Sequence, residues 1–175
     1  EAGEEEYQAW REDCFHVVEQ MLELPRARIH FKQRQRQRGT AQYEKTGESG
    51  TDFVVEEQGL KFWVNLDAYL DTGLFLDHRN TRRMVRERAA GKRFLNLFAY
   101  TGSFTVYAAS GGAVSSTTVD MSNTYQDWSR RNFILNGMDL DAHRLVRADV
   151  FQYPAEAVER GDRHDLIVMD PPSFS

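Results

Sequence analysis

At 175 residues, 41% hydrophobic and 28% charged, the chain has the size and make-up of one globular domain, or one domain with an appendage. A net charge of −5 excludes a protein that is basic throughout; no apolar run reaches the span of a membrane helix, and no signal-peptide pattern opens the sequence. The single cysteine, Cys14, excludes an internal disulfide framework and fits a reducing compartment, so the cytoplasm is the expected location, with no membrane partner.

Residues 5–24 repeat apolar side chains at helical spacing, through Tyr7, Trp10, Cys14, Val17, Val18 and Met21. Glu4, Glu5 and Glu6 load its N-terminal end with the negative charge that a helix dipole favours. Pro25 ends the helix. Cys14 falls in the apolar stripe and reads as a packed thiol. In the run that follows, Arg26, Arg28, His30, Lys32, Arg34, Arg36 and Arg38 are all even-numbered. A strand would put them on one face with Ile29 and Phe31 opposite, and same-face side chains recur about every 6.6 Å. That repeat is on the order of phosphate spacing, which makes Arg28, Lys32, Arg34, Arg36 and Arg38 candidate RNA contacts. The competing reading is an edge strand protected by charge.

Residues 39–52 read as a polar loop, and 53–55 with 60–66 as a hairpin around Glu56-Glu57-Gln58-Gly59. Residues 66–79 show no clear period; Asp, His and Arg among apolar neighbours suggest a loop lining a site. A helix over 80–90 stops at Gly91. Then come a strand at 94–98, a glycine turn and a helix at 103–110, followed by a strand at 113–119 that ends in Asp120. Ser122 caps a helix over 123–136 that stops at Gly137. A third strand at 143–146 leads to Asp149, a short helix spans 153–160, and a fourth strand at 165–169 runs into Asp170-Pro171-Pro172. Strands alternating with helices predict a doubly wound parallel sheet of the α/β class.

Strand, glycine turn, helix, strand and terminal acid form the layout of a cofactor-binding βαβ unit, in which the acid reaches ribose hydroxyls. Only Gly102 sits in the turn. A dinucleotide needs closely approached backbone for its pyrophosphate, whereas S-adenosylmethionine carries no phosphate and tolerates one glycine. Asp170 followed by two prolines makes a rigid lip where open α/β sheets bind ligands. The scattered histidines and lone cysteine show no metal-ligand spacing, so no metal is expected.

Taken in order, Phe98-Ala99-Tyr100-Thr101-Gly102-Ser103-Phe104, Val119-Asp120-Met121-Ser122, Ala148-Asp149-Val150-Phe151 and Asp170-Pro171-Pro172-Ser173-Phe174-Ser175 resemble the class I S-adenosylmethionine-dependent methyltransferases, which are Rossmann-like. Thr72-Gly73-Leu74-Phe75-Leu76-Asp77-His78-Arg79 narrows the resemblance to the bacterial large-subunit (23S) ribosomal RNA methyltransferases. Within them the chain is most similar to the guanine-N7 half of a fused enzyme, as Lys32-Gln33-Arg34-Gln35-Arg36 and Trp63-Val64-Asn65-Leu66 also indicate. The sister group methylates cytosine C5. That chemistry, a noncatalytic RNA-binding fragment and, more remotely, a dehydrogenase are the competing functions.

The resemblance implies S-adenosylmethionine as cofactor and 23S ribosomal RNA as partner. It implies that Phe98 and main chain from Ala99 through Tyr100, Thr101 and Gly102 to Ser103 hold the methionine end. Asp120 would take the ribose hydroxyls, Met121 would pack on adenine, and Asp149 with Val150 would meet the adenine edge. Arg79 would pair with the cofactor carboxylate, or else form an ordinary surface ion pair. Asp170, Pro171 and Pro172 would form the catalytic lip, with Asp170 orienting the base or the cofactor amine. The expected organisation is a helix and basic β-rich RNA-binding extension over 1–78 and a cofactor-binding core over 79–175. Complete domains of this kind continue past the lip, so the core is expected to be truncated after its fourth strand, with an exposed edge open to self-association.

Overall fold

The computed structural model describes residues 2–32, 50–69 and 71–172. Two compact units are present, Glu1–Gln37 and Arg38–Ser175. In the first, helix α1 (Ala2–Leu22) carries Glu4 and Glu5 in its opening turn and ends ahead of Pro25. The next residues, Arg26–Arg28, form a 3-10 turn rather than a strand. The parity stripe is therefore corrected at its start. Arg26 turns back to bond both oxygens of Glu12 at 2.9 Å and lies 3.4 Å from the centre of the Phe15 ring, contacts that an extended chain from Pro25 would forgo. Arg28 is exposed on that turn, and Arg34, Arg36 and Arg38 lie outside the described residues. Cys14 is half-buried within α1.

The second unit opens with a hairpin, β1 (Asp52–Glu57) antiparallel to β2 (Leu60–Asn65). Gln58 and Gly59 make its turn in left-handed conformations, as a two-residue hairpin requires. After a 3-10 turn at Leu76–His78 come α2 (Arg79–Arg88), β3 (Arg93–Leu97), α3 (Ser103–Ser110), β4 (Ser115–Asp120), α4 (Asn123–Leu135), β5 (His143–Arg147), α5 (Tyr153–Glu159) and β6 (Leu166–Met169). Strands β5-β4-β3-β6 form a parallel sheet in that order, with Leu97 opposite Val119 on one side and Met169 on the other. The chain steps outward from β3 to β4 to β5, then returns to β3's other side. This reversal puts the topological switch point at the carboxyl end of β3, where open α/β sheets bind ligands.

Strand periodicity sorts the core. On β3, Phe94 packs with α2 and α3, through Val85, Ala89, Phe104 and Ala108, and Asn96 bonds Thr105 of α3 at 3.1 Å. Leu95 and Leu97 point the other way, onto Tyr153 and Ala157 of α5. Helices on both faces explain why β3 is buried along its length after Arg93, and apolar there but for Asn96.

The hairpin belongs with this core, whereas the sequence pattern places the boundary at 78/79. Asn132 of α4 accepts from Trp63 N at 2.9 Å, and Asn136 accepts from Lys61 N at 2.9 Å. Glu57, 4% exposed, is gripped by Arg82, 1% exposed, at 2.8 Å, and also takes the Tyr107 hydroxyl at 2.8 Å. Breaking such a buried pair would strand a charge in the core, typically at about 3–5 kcal/mol. These bonds are side chain to backbone or far apart in sequence, which is why composition does not betray them.

Candidate active site

β3 ends at Leu97, and the chain leaves the sheet through two side-chain-bearing left-handed residues, Phe98 (φ 56°) and Tyr100 (φ 52°), before Gly102 (φ 71°) opens α3. Such residues cost on the order of 1–3 kcal/mol each and persist only where their surroundings hold them. Here the hold is dense. Ala99 N donates to Val119 O at 3.1 Å, and Tyr100 N to Asp120 Oδ2 at 2.9 Å. From α4, Ser129 donates to Tyr100 O at 3.0 Å and Asn132 to Thr101 O at 2.9 Å. Gly102 has no alternative: a Cβ would sit 2.9 Å from Ser129 and from the Phe133 ring. Ser103, buried, then begins α3.

Asp120, at the end of β4, accepts from Tyr100 N on one oxygen and from Ser122 N at 2.9 Å on the other. Burial pushes its carboxyl above the ordinary aspartate range, and those backbone N–H bonds pull it back. The Met121 N–H also bears on this carboxylate, which still keeps some acceptor capacity. Beside it Met121 is 54% exposed, with its carbonyl tied to Arg147 Nε at 3.1 Å. Gln126 of α4 links the two strand ends, donating to Asp120 O and to Val146 O.

Asp149, beyond β5, accepts from Phe151 N at 2.8 Å, and its carbonyl takes Tyr153 N at 2.9 Å to start α5. Val150 is buried; Phe151 is 75% exposed, its ring edge-on to that of Phe98 at 5.6 Å. Asp170, beyond β6, donates its N–H to Leu97 O at 3.4 Å, and its carboxylate lies 3.3 Å from His78 Nδ1. Pro171 and Pro172 follow on the surface. The structure thus gathers Phe98 to Ser103, Asp120, Met121, Asp149, Val150 and Asp170 along one carboxyl edge. Arg79 behaves differently: its Nε lies 3.7 Å from Glu57 Oε2, the ion-pair alternative.

Several side chains at this edge were not singled out from sequence. Gly73 joins the glycine turn, its N–H donating to the Tyr100 hydroxyl at 2.8 Å and its carbonyl accepting from Thr101 Oγ1 at 2.7 Å. Burial pushes the Tyr100 phenol far above its usual range, so it stays a neutral hydroxyl. The signal for α4 was present: Gln126, Ser129 and Asn132 recur three apart beside Trp128 and Phe133, a polar row on a face that carries core residues. His78 and Phe151 lay inside stretches the sequence marked, the 66–79 loop and the Ala148–Phe151 motif, but nothing local assigned either a role. Among the described residues no cluster of three or more His, Cys, Asp or Glu could hold a metal, and no helix is long and apolar enough to cross a membrane.

A family model for S-adenosylmethionine-dependent methyltransferases matches residues 1–175. The chain is 65% identical to ribosomal RNA large subunit methyltransferase K of Neisseria meningitidis serogroup B, over 98% of this chain and 48% of that protein. It is 54% identical to ribosomal RNA large subunit methyltransferase K/L of Methylococcus capsulatus, over 91% of this chain and 22% of the relative. The chain therefore spans about half the length of the first and about a fifth of the second. A crystal structure of a protein described as a methyltransferase and complexed with SAH superposes with a TM-score of 0.69 at 41% identity, covering 74% of this chain and 34% of that one.

Proposed function

The chain belongs to the S-adenosylmethionine-dependent methyltransferase family, and from that premise we propose that it is the cofactor-binding part of an enzyme that methylates 23S ribosomal RNA at guanine N7 in the cytoplasm. The observation that carries this reading is the coincidence, at one switch-point edge, of a strained single-glycine turn with acids closing three strands, Asp120, Asp149 and Asp170. The names carried by the similar ribosomal RNA methyltransferases supply the substrate class.

The residues present fit the cofactor. Asp120 retains acceptor capacity beyond its backbone N–H donors, which suits ribose hydroxyls. Met121, Phe98 and Phe151 offer apolar surface for a flat base, and Asp149 offers an acceptor for an amino group. No phosphate site is needed, which suits a turn with one glycine. When bound, S-adenosylmethionine supplies an electrophilic methyl group.

The protein's task is then positional. Guanine N7 has an in-plane lone pair and no proton to remove, so no general base is required. The rigid turn, the Asp-Pro-Pro lip and exclusion of water would hold the base against its target. The exposed arginines Arg79, Arg83 and Arg88 on α2, which starts beside the lip, suit a polyanionic substrate. The stripe residues Arg28, Lys32, Arg34, Arg36 and Arg38 are proposed as further RNA contacts.

Calorimetric titration of the full-length protein with S-adenosylhomocysteine, NAD and a 23S fragment tests the reading. Saturable binding of the first and third, and none of NAD, is expected. Binding of NAD alone would return the βαβ unit to the dehydrogenases.

A further inference from the structure

We infer that His78 is a positioning residue, holding the Asp170 carboxylate as the acceptor for the N–H donors of the substrate guanine; this rests on the guanine-N7 reading above. His78 closes the 3-10 turn Leu76–His78 and immediately precedes α2, while Asp170 ends the distant strand β6. Only the folded sheet brings them together. His78 Nδ1 lies 3.3 Å from Asp170 Oδ2, and Nε2 lies 3.7 Å from Asp77 Oδ2, so each ring nitrogen faces a carboxylate. The ring is packed, with its centroid 5.7 Å from that of Phe104 in α3 and 6.4 Å from that of Phe75. Among the described residues His78 is the one side chain that meets the Asp170 carboxylate, which remains 46% exposed next to Pro171 and Pro172. One oxygen thus lies at ion-pair distance from the imidazole, and the group still presents open surface to a ligand at the lip.

Guanine chemistry explains what such an acceptor would do. N7 gives its lone pair to the incoming methyl carbon, whose bond to sulfur breaks with the electron pair left on sulfur. No proton leaves, and the purine ring becomes cationic. Its N1–H and exocyclic N–H groups sharpen as donors while that charge grows. A carboxylate already facing them is bonded more tightly in the transition state than in the ground state, which is the difference that raises kcat. An unanchored carboxylate would lose part of that gain by reorienting. The imidazole, 3.3 Å away, would anchor it by turning an Nδ1–H onto that oxygen, which both the cation and the Nδ1–H tautomer can supply.

The test uses the full-length protein and unmodified 23S ribosomal RNA, with His78→Leu, His78→Asn, Asp170→Asn and the Leu/Asn double variant. Asparagine places a side-chain N–H donor close to where Nδ1 stands. We expect His78→Leu to lower kcat about ten-fold or more, and His78→Asn to recover it to within about three-fold. S-adenosylhomocysteine affinity and Tm should be unchanged, and His78→Leu should add nothing in the Asp170→Asn background. Imidazole nitrogen spectra should show a proton on Nδ1. An unchanged kcat in His78→Leu, a full loss on top of Asp170→Asn, or a bare Nδ1 would each overturn the assignment. Should His78→Leu not fold, His78→Asn and the nitrogen spectrum decide it. A wild-type enzyme that leaves guanine N7 unmethylated is a separate result, which removes the premise and the inference together.

Discussion

Gly73 and Tyr100 are joined across the molecule by a 2.8 Å hydrogen bond from the Gly73 amide to the Tyr100 hydroxyl. Thr101 closes the clasp from the other side, so the upstream loop braces the strained turn at which the cofactor is proposed to bind. Tyr100→Phe leaves the buried Gly73 N–H without an acceptor, and the expected loss of stability is about 1–3 kcal/mol. Gly73→Ala should cost more. Its φ of 103° is hostile to a side chain, and a Cβ would fall 2.4 Å from the Trp128 ring. Urea unfolding compares the two. A Tyr100→Phe protein with the wild-type midpoint would show that the clasp carries no weight.

Asp120 carries the clearest cofactor prediction. Replacing it with alanine would remove the proposed acceptor of the ribose hydroxyls, worth about 1.5–3 kcal/mol for bonds to a charged group. S-adenosylhomocysteine should then bind roughly ten-fold more weakly, or worse. Calorimetry on the full-length protein reads this directly, and unchanged affinity would remove Asp120 from the site.

The legibility of the chain follows the range of the interactions. Residues 94–98 were expected as a buried strand and Arg93–Leu97 is one, because β3 is covered on both faces and its apolar run says so. Helix 103–110 and the Ser122 cap were readable from local chemistry, and Ser122 Oγ accepts from Tyr125 N at 3.3 Å. Asp120, Asp149 and Asp170 stood out because each follows a strand. The basic run was misread at its start: parity assumes an extended chain, and the Arg26 contacts with Glu12 and Phe15 that curl it are tertiary. Gly73 with Tyr100, and His78 with Asp170, were beyond reach for the same reason. No local pattern marks a contact that only sheet order creates.

The Arg93–Asp165 pair makes a pH prediction. Arg93 donates to the Asp165 carboxylate from its guanidinium at 2.8 and 2.9 Å and from its backbone N–H at 3.0 Å, holding that carboxyl well below the usual range. A depressed folded-state value means the contribution to stability is present above the unfolded pKa of about 3.9 and is lost as pH falls toward the folded value. Asp165→Asn should therefore be less stable than wild type at neutral pH, by a margin that shrinks below about pH 4. Denaturant midpoints across that range check it. A gap that widens on acidification would reverse the sign.

Arg34, Arg36 and Arg38 test the proposed RNA contact. Changing all three to glutamine should weaken binding to a 23S fragment and flatten the slope of log affinity against log salt, by roughly 1 for each phosphate left without its arginine. Cofactor affinity should stay as it was. A mutant with the wild-type salt slope would leave the stripe as a solvated surface.

The account as a whole stands on the modified nucleoside. Full-length protein incubated with S-adenosylmethionine and 23S ribosomal RNA lacking its modifications, followed by nucleoside digestion and mass spectrometry, is predicted to yield 7-methylguanosine, and to yield roughly ten-fold less or lower with Asp120→Ala at limiting cofactor. Appearance of 5-methylcytidine instead, or of no methylated nucleoside although S-adenosylhomocysteine binds, would contradict it.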